Sequence, residues 1–293
     1  MSTRGLTASQ RAVLDWAERH RRDLPWRSSR DPWAVLVSEV MLQQTQVARV
    51  VPRWHAFLQR WPDTSSCAAA SPGDVVAEWQ GLGYPRRARN LHRCASTIEH
   101  EHGGRFPDEL GALLALDGVG PYTARAVLAF AFEHDAAVVD TNVGRVVARR
   151  AGVRLTPSAA QRAADEWLPA GRSWEWNQAL LDLGAGVCRP KEPDCGGCPV
   201  RRECVWAAAG CTEPDPAVRS AGVSRPQAPY QGSRRQARGR LLAAAGAGAV
   251  DPTAHDPEIV HSLLEDDLVE LDECGRVRLV GRISPPGSPA PGG

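Results

Sequence analysis

Four of the eight cysteines lie in one short segment, with a spacing that suits metal binding. Six residues separate Cys188 from Cys195, two separate Cys195 from Cys198, and five separate Cys198 from Cys204. Four thiolates in one compact loop can hold a tetrahedral zinc ion or a cubane iron–sulfur cluster. Spacing does not choose between them, and chemistry alone favours zinc slightly. The remaining cysteines are scattered, which indicates buried or spare thiols rather than a disulfide framework. They are Cys67, Cys94, Cys211 and Cys274.

Two carboxylates are candidates for acid–base chemistry. Asp140 follows an apolar run and opens a predicted helix, so its ordinary role would be an N-cap. Glu39 lies with Gln43 at the border of an apolar helical stripe, where an acid would be half-buried beside a cleft. A lone glutamate at such a position is more often simply exposed. Together, however, two carboxylates can divide the roles of general acid and of cation stabiliser or nucleophile.

The segment from Leu116 to Ala124 contains a turn that could bind a phosphate. Gly118 and Gly120 let a hairpin between two helices approach a partner closely. The free N–H groups at the start of the following helix favour a phosphate oxygen, so the hairpin could grip a DNA backbone without reading sequence. A glycine-containing turn between helices is, taken alone, more often only a turn.

The elements that carry these residues are predicted to be helices. Capping and stop signals follow one another, with almost no alternating strand pattern before about residue 265. Helices are expected from Thr7 to His20, from Pro85 to His102 and from Trp174 to Val187, the last leading into the cysteine segment. The first two-thirds of the chain is therefore predicted to be all-α.

Composition changes after Cys211. A stretch rich in proline, alanine, serine and arginine indicates a linker, and a small module follows it. Gln236–Ala245 and Pro257–Asp266 are predicted helices, and Leu268–Val280 alternates like a hairpin. Two helices and a hairpin suggest a winged-helix-like unit.

Bulk charge says little about a partner, because the formal net charge of the 293 residues is only +1. Local patterns are more informative: Arg86, Arg89 and Arg93 share one face of a predicted helix, which suits DNA phosphates or plain solvent equally well. No leader pattern and no apolar run near the roughly 18 residues of a membrane span is present. We therefore expect a soluble, cytoplasmic protein without a membrane partner.

Several of these segments, in the same order, resemble the adenine DNA glycosylase (A/G-specific) family of the helix-hairpin-helix, iron–sulfur DNA glycosylase superfamily. The resemblance runs from about Leu24 to Cys204. One departure is Asp117, which stands in the hairpin where these proteins usually have proline. The matching segments are Leu24-Pro25-Trp26-Arg27, Ser38 to Thr45, Gly81-Leu82-Gly83-Tyr84, the hairpin, Val138 to Val143 and the four cysteines.

The resemblance implies an all-α helix-hairpin-helix DNA glycosylase fold in two domains, with a cleft between them that takes a flipped-out base. It also implies a [4Fe–4S] cluster rather than zinc. The predicted divisions are a six-helix barrel domain with the hairpin at 28–134, an iron–sulfur cluster domain at 1–27 and 135–211, a linker at 212–235, the winged-helix-like module at 236–283 and a disordered tail at 284–293.

The resemblance further implies residue roles. Glu39 would be the general acid, Asp140 would stabilise the sugar cation, and Tyr122 and Asn142 would line the same pocket. Cys188, Cys195, Cys198 and Cys204 would hold the cluster. Residues in positions that meet DNA in this family form a larger set: Gln44, Thr45, Leu82, Tyr84, Gly118, Gly120, Arg86, Trp26 and Arg27.

The implied reaction is base excision of adenine mispaired with 8-oxoguanine or guanine in double-stranded DNA, by a monomer. Strand-cleaving relatives carry a lysine after the hairpin; Tyr122 stands there, and Lys191 is the only lysine, so we expect a monofunctional enzyme. The alternatives are a thymine or uracil mismatch glycosylase on the same scaffold and a non-catalytic iron–sulfur DNA-binding protein. The roughly 80 residues after Cys211 are too short and too helical for the usual 8-oxoguanine-reading domain, so that selectivity stays open.

Overall fold

The computed structural model describes residues 5–220 and 229–282, and helices are the predominant secondary structure in them. The predicted tail at 284–293 and the middle of the predicted linker fall outside these residues. The helices and strands are α1 (Ala8–His20), α2 (Pro32–Leu42), α3 (Val47–Arg60), α4 (Thr64–Ala68), α5 (Pro72–Glu78), α6 (Arg86–Glu101), α7 (Leu110–Ala115), α8 (Pro121–Phe130), α9 (Thr141–Ala151), α10 (Pro157–Trp167), α11 (Ser173–Gly186), α12 (Val205–Ala208), α13 (Arg234–Ala247), α14 (Pro257–Glu265), β1 (Val269–Leu271) and β2 (Val277–Leu279).

The chain divides into two compact units. The first comprises the described parts of Met1–Leu36, Asp108–Ala115 and Val119–Pro226. The second comprises those of Val37–Pro107, Leu116–Gly118 and Gln227–Gly293. These divisions differ from the predicted domains in two respects. Residues 28–36 and the helices α7 and α8, all placed in the predicted barrel, belong to the first unit. The C-terminal module belongs to the same unit as α3–α6 rather than standing apart.

The core of the first unit forms where α1, α9, α10 and α11 bury their apolar stripes against one another. Trp176 of α11 is fully buried and meets the ring of Trp167 edge-on, with ring centroids 4.9 Å apart. Edge-to-face contact suits the charge distribution of two aromatic rings. At the start of α1, Thr7 and Gln10 form a reciprocal capping box, which satisfies donors that a helix start leaves unpaired.

A buried ion pair fixes the segment before α2 to α11. Arg27 donates both terminal nitrogens to the two carboxylate oxygens of Asp182, at 2.8 and 2.9 Å, and both side chains are buried. Burial raises the pKa of Asp182, but the hydrogen bonds and charges of Arg27 and Arg22 outweigh it and hold that pKa below its ordinary value. A two-pronged pair of this kind fixes orientation as well as distance.

The second unit is built from α3 to α6 together with the C-terminal module. Phe57 of α3 is fully buried and lies edge-on to Trp79, with centroids 6.0 Å apart. Leu91 and Ile98 of α6 are buried as well. The helix predicted from Pro85 to His102 therefore exists within one residue of its expected ends.

The two helices and the β-hairpin predicted for the C-terminal module are confirmed. β1 and β2 pair antiparallel, with Glu270 opposite Arg278, and α13 packs against both β2 and α14. The module rests on α5, where the N–H of Gly73 donates to the carbonyl of Val280 at 2.8 Å. A Cβ at Gly73 would lie 2.7 Å from that oxygen, so only glycine allows the two backbones to approach this closely.

The arginine face of α6 is the surface on which the module docks. Asp266, at the end of α14, is buried and accepts hydrogen bonds from Arg86 and Arg238, while its carbonyl accepts one from Arg89. Asp267 pairs with Arg93 at 2.9 Å. The sequence left DNA phosphates and solvent as the two possible partners of this arginine face. In the structure its partners are instead two carboxylates of the same chain, Asp266 and Asp267.

Part of the predicted linker is anchored to the first unit. Asp215 accepts hydrogen bonds from Arg149 of α9, the shortest at 2.6 Å, and Ser220 is buried and accepts from the N–H of Leu155. The linker prediction is therefore wrong for residues 212–220. Composition misses these contacts because they depend on single polar side chains.

Among residues 5–220 and 229–282, no helix combines the length and apolarity that crossing a membrane would require.

We expect Asp266→Asn to loosen the module from α6. Burial raises the pKa of Asp266, but Arg86 and Arg238 outweigh it and hold the pKa below its ordinary value. The carboxylate therefore stabilises the fold above pH ~4, and this stabilisation disappears as the pH falls through the folded-state pKa. Near neutral pH the variant should lose about 1–3 kcal/mol in the free energy of unfolding.

Urea unfolding at pH 7 and at progressively lower pH measures this effect. The matched control is Asp267→Asn, because the Asp267 side chain is 60% exposed and its pairing should contribute little. Equal stability of the two variants at pH 7 would contradict the anchoring role of Asp266.

Candidate active site

Asp140 is the N-cap of α9, and its carboxylate accepts hydrogen bonds from the first residues of that helix. Its Oδ1 accepts hydrogen bonds from the N–H groups of Asn142 and Val143, at 2.8 and 2.7 Å, while Oδ2 accepts one from the Asn142 side chain at 2.8 Å. The prediction of an N-cap carboxylate is confirmed. A carboxylate fixed by three donors has a defined position and cannot swing freely.

A hydrogen-bond relay runs from Asp140 to the cysteine segment. Asn142 accepts a hydrogen bond from Arg145 at 2.8 Å, and the same Arg145 nitrogen donates to the carbonyl of Gly184 at 2.7 Å. The Nε of Arg145 donates to the carbonyl of Cys188 at 2.6 Å. Arg145 is buried, so its charge requires these acceptors. The sequence does not predict this role of Arg145, whose only local signal is its place one turn after Thr141.

Gly184 permits this relay, because α11 passes very close to the start of α9. A Cβ at Gly184 would lie 2.6 Å from the Cβ of Asn142 and 2.8 Å from its carbonyl oxygen. Any larger residue would push Asn142 away from Asp140. The relay thus depends on one position that has no side chain.

Burial has the largest effect on the acidity of Asp140 and raises its pKa. The hydrogen bonds from Val143 and Asn142 and the charge of Arg145 act in the opposite direction, but they do not cancel it. The carboxylate is therefore a partly desolvated anion held by directed donors. Such a group is suited to facing a positive charge that develops on a bound molecule.

The four predicted metal ligands line one cavity of the first unit. Cys188, Cys195, Cys198 and Cys204 share it with Arg149, and all four thiols are half-buried. Burial raises the pKa of Cys198 to about 11, so that thiol needs a nearby cation to become a thiolate. Within the described residues, no three His, Cys, Asp or Glu side chains converge as ligands of a single ion. The donor set suits a cluster bound by four thiolates.

Two further residues belong to this cavity region. Arg149 donates to the Cys188 sulfur at 3.4 Å and lies over the ring of Trp206 at 4.5 Å. Cys211, which the sequence groups with the scattered thiols, has its sulfur 3.7 Å from that of Cys195. Cys211 is thus scattered in the sequence but lies beside one of the four clustered cysteines in the fold. Its position seven residues after Cys204 was the available signal.

Glu39 lies on the part of α2 that belongs to the second unit and is 5% exposed. The helix is more deeply buried than its pattern suggests, because residues 33–41 are all buried. The prediction that Glu39 is half-buried at the border of an apolar stripe is therefore wrong. The reason is that α2 packs on nearly all sides.

The second unit also holds the two turns with predicted DNA contacts. Gln44 and Tyr84 are exposed, Thr45 is half-buried and Leu82 is buried. The hydroxyl of Thr45 donates to the carbonyl of Leu82 at 3.3 Å, so the two turns are joined. The local sequence indicates both turns, whereas the hydrogen bond between them joins residues 37 positions apart.

In the hairpin, Gly118 has a φ of +75° and a Cβ there would lie 2.8 Å from the Cβ of Asn90. Both facts require glycine. Gly120 caps α8, where Pro121 takes the first helical position and Tyr122 the second, half-buried. The prediction of a glycine-dependent turn leading into a helix is confirmed, whereas phosphate binding stays a prediction.

Three predicted DNA contacts lie in surroundings that give them another role. Arg27 is buried with Asp182, Trp26 is 7% exposed, and Arg86 pairs with Asp266 of the module. The Arg86 side chain is still 65% exposed, so a DNA contact there stays a prediction. For Arg27 and Trp26, burial favours a structural role.

We expect Gly184→Ala to destabilise the first unit, because the added methyl group would meet Asn142 at less than van der Waals distance. The expected loss is about 1–3 kcal/mol in the free energy of unfolding. Gly186→Ala is the matched control, since it lies in the same helix and a Cβ there meets no described atom within 4 Å. Thermal unfolding compares them; similar melting temperatures for the two variants would refute the close approach.

Comparison with known proteins identifies the family to which this chain is related. Residues 37–170 match the HhH-GPD superfamily of base excision DNA repair proteins. The adenine DNA glycosylase of Mycobacterium tuberculosis is 47% identical over 205 residues, which cover 68% of this chain and 67% of that protein. The human adenine DNA glycosylase is 39% identical over 214 residues, which cover 68% of this chain and 39% of that protein.

A solved structure agrees with these relatives. That of a thermostable thymine-DNA glycosylase superposes with a TM-score of 0.65 at 30% identity, covering 68% of this chain and 95% of the other. The predicted helix-hairpin-helix glycosylase fold is therefore confirmed. The chain belongs to the adenine DNA glycosylase family of the HhH-GPD superfamily of base excision DNA repair proteins, and it is a DNA glycosylase, a hydrolase of N-glycosidic bonds.

Proposed function

We propose that this protein removes adenine from duplex DNA in which the adenine is mispaired with 8-oxoguanine or guanine. The observation that carries the proposal is the capped carboxylate of Asp140, held by its relay, in a chain 47% identical to a named adenine DNA glycosylase. An enzyme that acts on a base in a duplex must first extrude that base from the stack.

Glu39 is the proposed general acid. Adenine is a poor leaving group from deoxyribose until a ring nitrogen is protonated, so the reaction needs a proton donor in a dry pocket. The 5% exposure of Glu39 in an apolar helix supports this role. Glu39 lies in the second unit and Asp140 in the first, and the proposal assigns them complementary tasks.

Asp140 is the proposed partner of the sugar. As the glycosidic bond breaks, positive charge develops on the sugar ring, and a fixed carboxylate can stabilise it or bond to it transiently. The three hydrogen bonds to Asp140 keep it in place without neutralising it. Asn142 holds the carboxylate through its amide nitrogen, and Tyr122 is proposed to line the same pocket.

The reaction is proposed to stop at base removal. Strand cleavage by a glycosylase requires an amine that attacks the sugar and forms a Schiff base. Tyr122 follows the hairpin, and the single lysine, Lys191, is an exposed residue of the cysteine segment. Water is therefore the proposed final nucleophile.

Cys188, Cys195, Cys198 and Cys204 are proposed to hold a [4Fe–4S] cluster. Their half-buried thiols share a cavity with Arg149, whose charge favours thiolate ligands. The cluster supplies cross-linking of the loop by four metal–sulfur bonds. The carbonyl of Cys188 then holds Arg145, so a fixed loop helps to fix the relay.

A second candidate function is removal of thymine or uracil opposite guanine. The superposition on a thymine-DNA glycosylase at a TM-score of 0.65 and 30% identity favours it. Higher identity to adenine glycosylases makes adenine the first choice.

Base release from labelled duplexes tests the choice. We expect adenine release opposite 8-oxoguanine and opposite guanine, with strand breaks appearing only after alkali. Glu39→Gln should lower the single-turnover rate at least about 100-fold, because proton donation is removed. Release of thymine or uracil alone would support the second candidate. Absence of release from every duplex would contradict both and leave a non-catalytic DNA-binding protein.

Asp140→Asn should lose activity without losing stability. The raised pKa of Asp140 means that the folded state binds its proton more tightly than the unfolded chain, so the charged form costs stability at pH 7. Asparagine keeps an oxygen for the two backbone N–H groups of the cap, loses the hydrogen bond from the Asn142 side chain and removes the buried charge. Because the last two effects oppose each other, we expect a melting temperature close to that of the wild type and a base-release rate lower by about 100-fold or more.

Asp256→Asn is the matched control, since Asp256 caps α14 in the same manner. It should leave base release unchanged. A marked fall in the melting temperature of Asp140→Asn would show that its carboxylate is mainly structural.

Metal content tests the cofactor. We expect brown protein with absorbance at ~400 nm and about four iron atoms per chain. Cys198→Ser should lose both, whereas Cys274→Ser should keep both, because Cys274 is exposed and lies in the turn between β1 and β2. One zinc ion per chain in colourless protein would overturn the assignment.

A further inference from the structure

Arg87 of α6 is buried at 9% exposure, but within the described residues its terminal nitrogens meet neutral oxygens rather than a carboxylate. The two nitrogens donate to six oxygen atoms at 2.7–3.1 Å. These are the carbonyls of Val40, Met41, Gln43, Leu82 and Gly83 and the hydroxyl of Thr45.

The six acceptors belong to two separate turns. One terminal nitrogen serves the carbonyls at the end of α2 and the turn after it, where a helix leaves carbonyls without partners. The other serves the Thr45 hydroxyl and the carbonyls before Tyr84. A planar guanidinium can therefore fix the distance between the turns, which a single-point ammonium cannot do.

Both turns hold a non-glycine residue in the left-handed region. Gln44 has a φ of +56° and Tyr84 a φ of +51°. Such conformations cost energy and persist only where the surroundings enforce them, and they are concentrated at ligand-binding sites. The strained residues are the exposed ones, while the clamp beneath them is buried.

We propose that Arg87 is a positioning residue that sets how well the enzyme distinguishes the base opposite the adenine, without touching DNA itself. This inference rests on the proposed function, in which Gln44, Thr45 and Tyr84 meet the DNA. The clamp holds the two turns at one separation, so that they engage the opposite base together. Loss of the clamp frees the turns and leaves proton donation by Glu39 in place.

Arg87→Lys tests the proposal, since it retains the charge at the end of α2 but cannot bridge both turns. The ratio of adenine release opposite 8-oxoguanine to release opposite guanine should move about tenfold toward one, through weaker binding of the preferred duplex. The maximal single-turnover rate on that duplex should change less than about threefold. Arg60→Lys, at the end of α3 with a side chain that is 47% exposed, is the control with unchanged values.

A purely structural role would lower the rates on both duplexes together, and that result, or an unchanged ratio, would overturn the proposal. Hydrogen–deuterium exchange provides a readout without activity: amides of residues 43–45 and 82–84 should exchange faster in Arg87→Lys than in the wild type. Unchanged exchange there would also overturn it. If the wild type releases no base, the proposed function fails, and exchange alone decides whether the clamp exists.

If Arg87→Lys does not fold, Thr45→Val serves as the second variant. It removes one acceptor and the hydroxyl that joins the turns, at nearly constant volume. We expect a shift of the selectivity ratio in the same direction, about threefold, with an unchanged melting temperature. Because Thr45 is itself proposed to meet DNA, amide exchange separates a lost clamp from a lost contact: residues 82–84 should exchange faster in Thr45→Val than in the wild type. Unchanged exchange there, or an unchanged ratio, in the folded variant would contradict the clamp.

Discussion

The need to satisfy buried guanidinium groups governs this structure. Arg27, Arg87, Arg145 and Arg149 are each at most 9% exposed. A buried positive charge without acceptors would cost several kcal/mol, so each of them gathers oxygen atoms from segments distant in sequence. Arginine suits this task because its planar fork reaches several acceptors at once. The composition agrees, since all but one of the 35 basic residues are arginine.

These arginines give the functional segments their positions. Arg145 links the cap of α9 to the cysteine segment, and Arg149 links α9 to Cys188 and to Asp215. The same atoms thus serve stability and chemistry. Asp140 is the N-cap of α9, yet burial raises its pKa. Its charged form is therefore less stable in the fold than it would be in solvent, and the fold tolerates that cost.

The sequence predicts local features well and long-range pairings poorly. Helix caps, the hairpin glycines and the cysteine spacing are encoded within a few residues, so α6, β1 and the four-thiol cavity could be expected. The roles of Arg145 and Arg87 depend on acceptors about 40 residues away, which no window reveals. The burial of Glu39 also depends on distant segments, because a helical wheel shows the faces of one helix and not the neighbours that cover them.

Docking of the module on α6 alters how this protein can be attracted to a polyanion. Three arginines that a surface inspection would assign to phosphates already face Asp266 and Asp267. An arginine that is already paired within the protein releases fewer of the counterions condensed on a nucleic acid. For each phosphate contact that is not made, the slope of log affinity against log salt concentration becomes shallower by about 0.9. Attraction to the duplex therefore depends less on ionic strength than the count of basic residues suggests, and correspondingly more on the turns that fit the lesion.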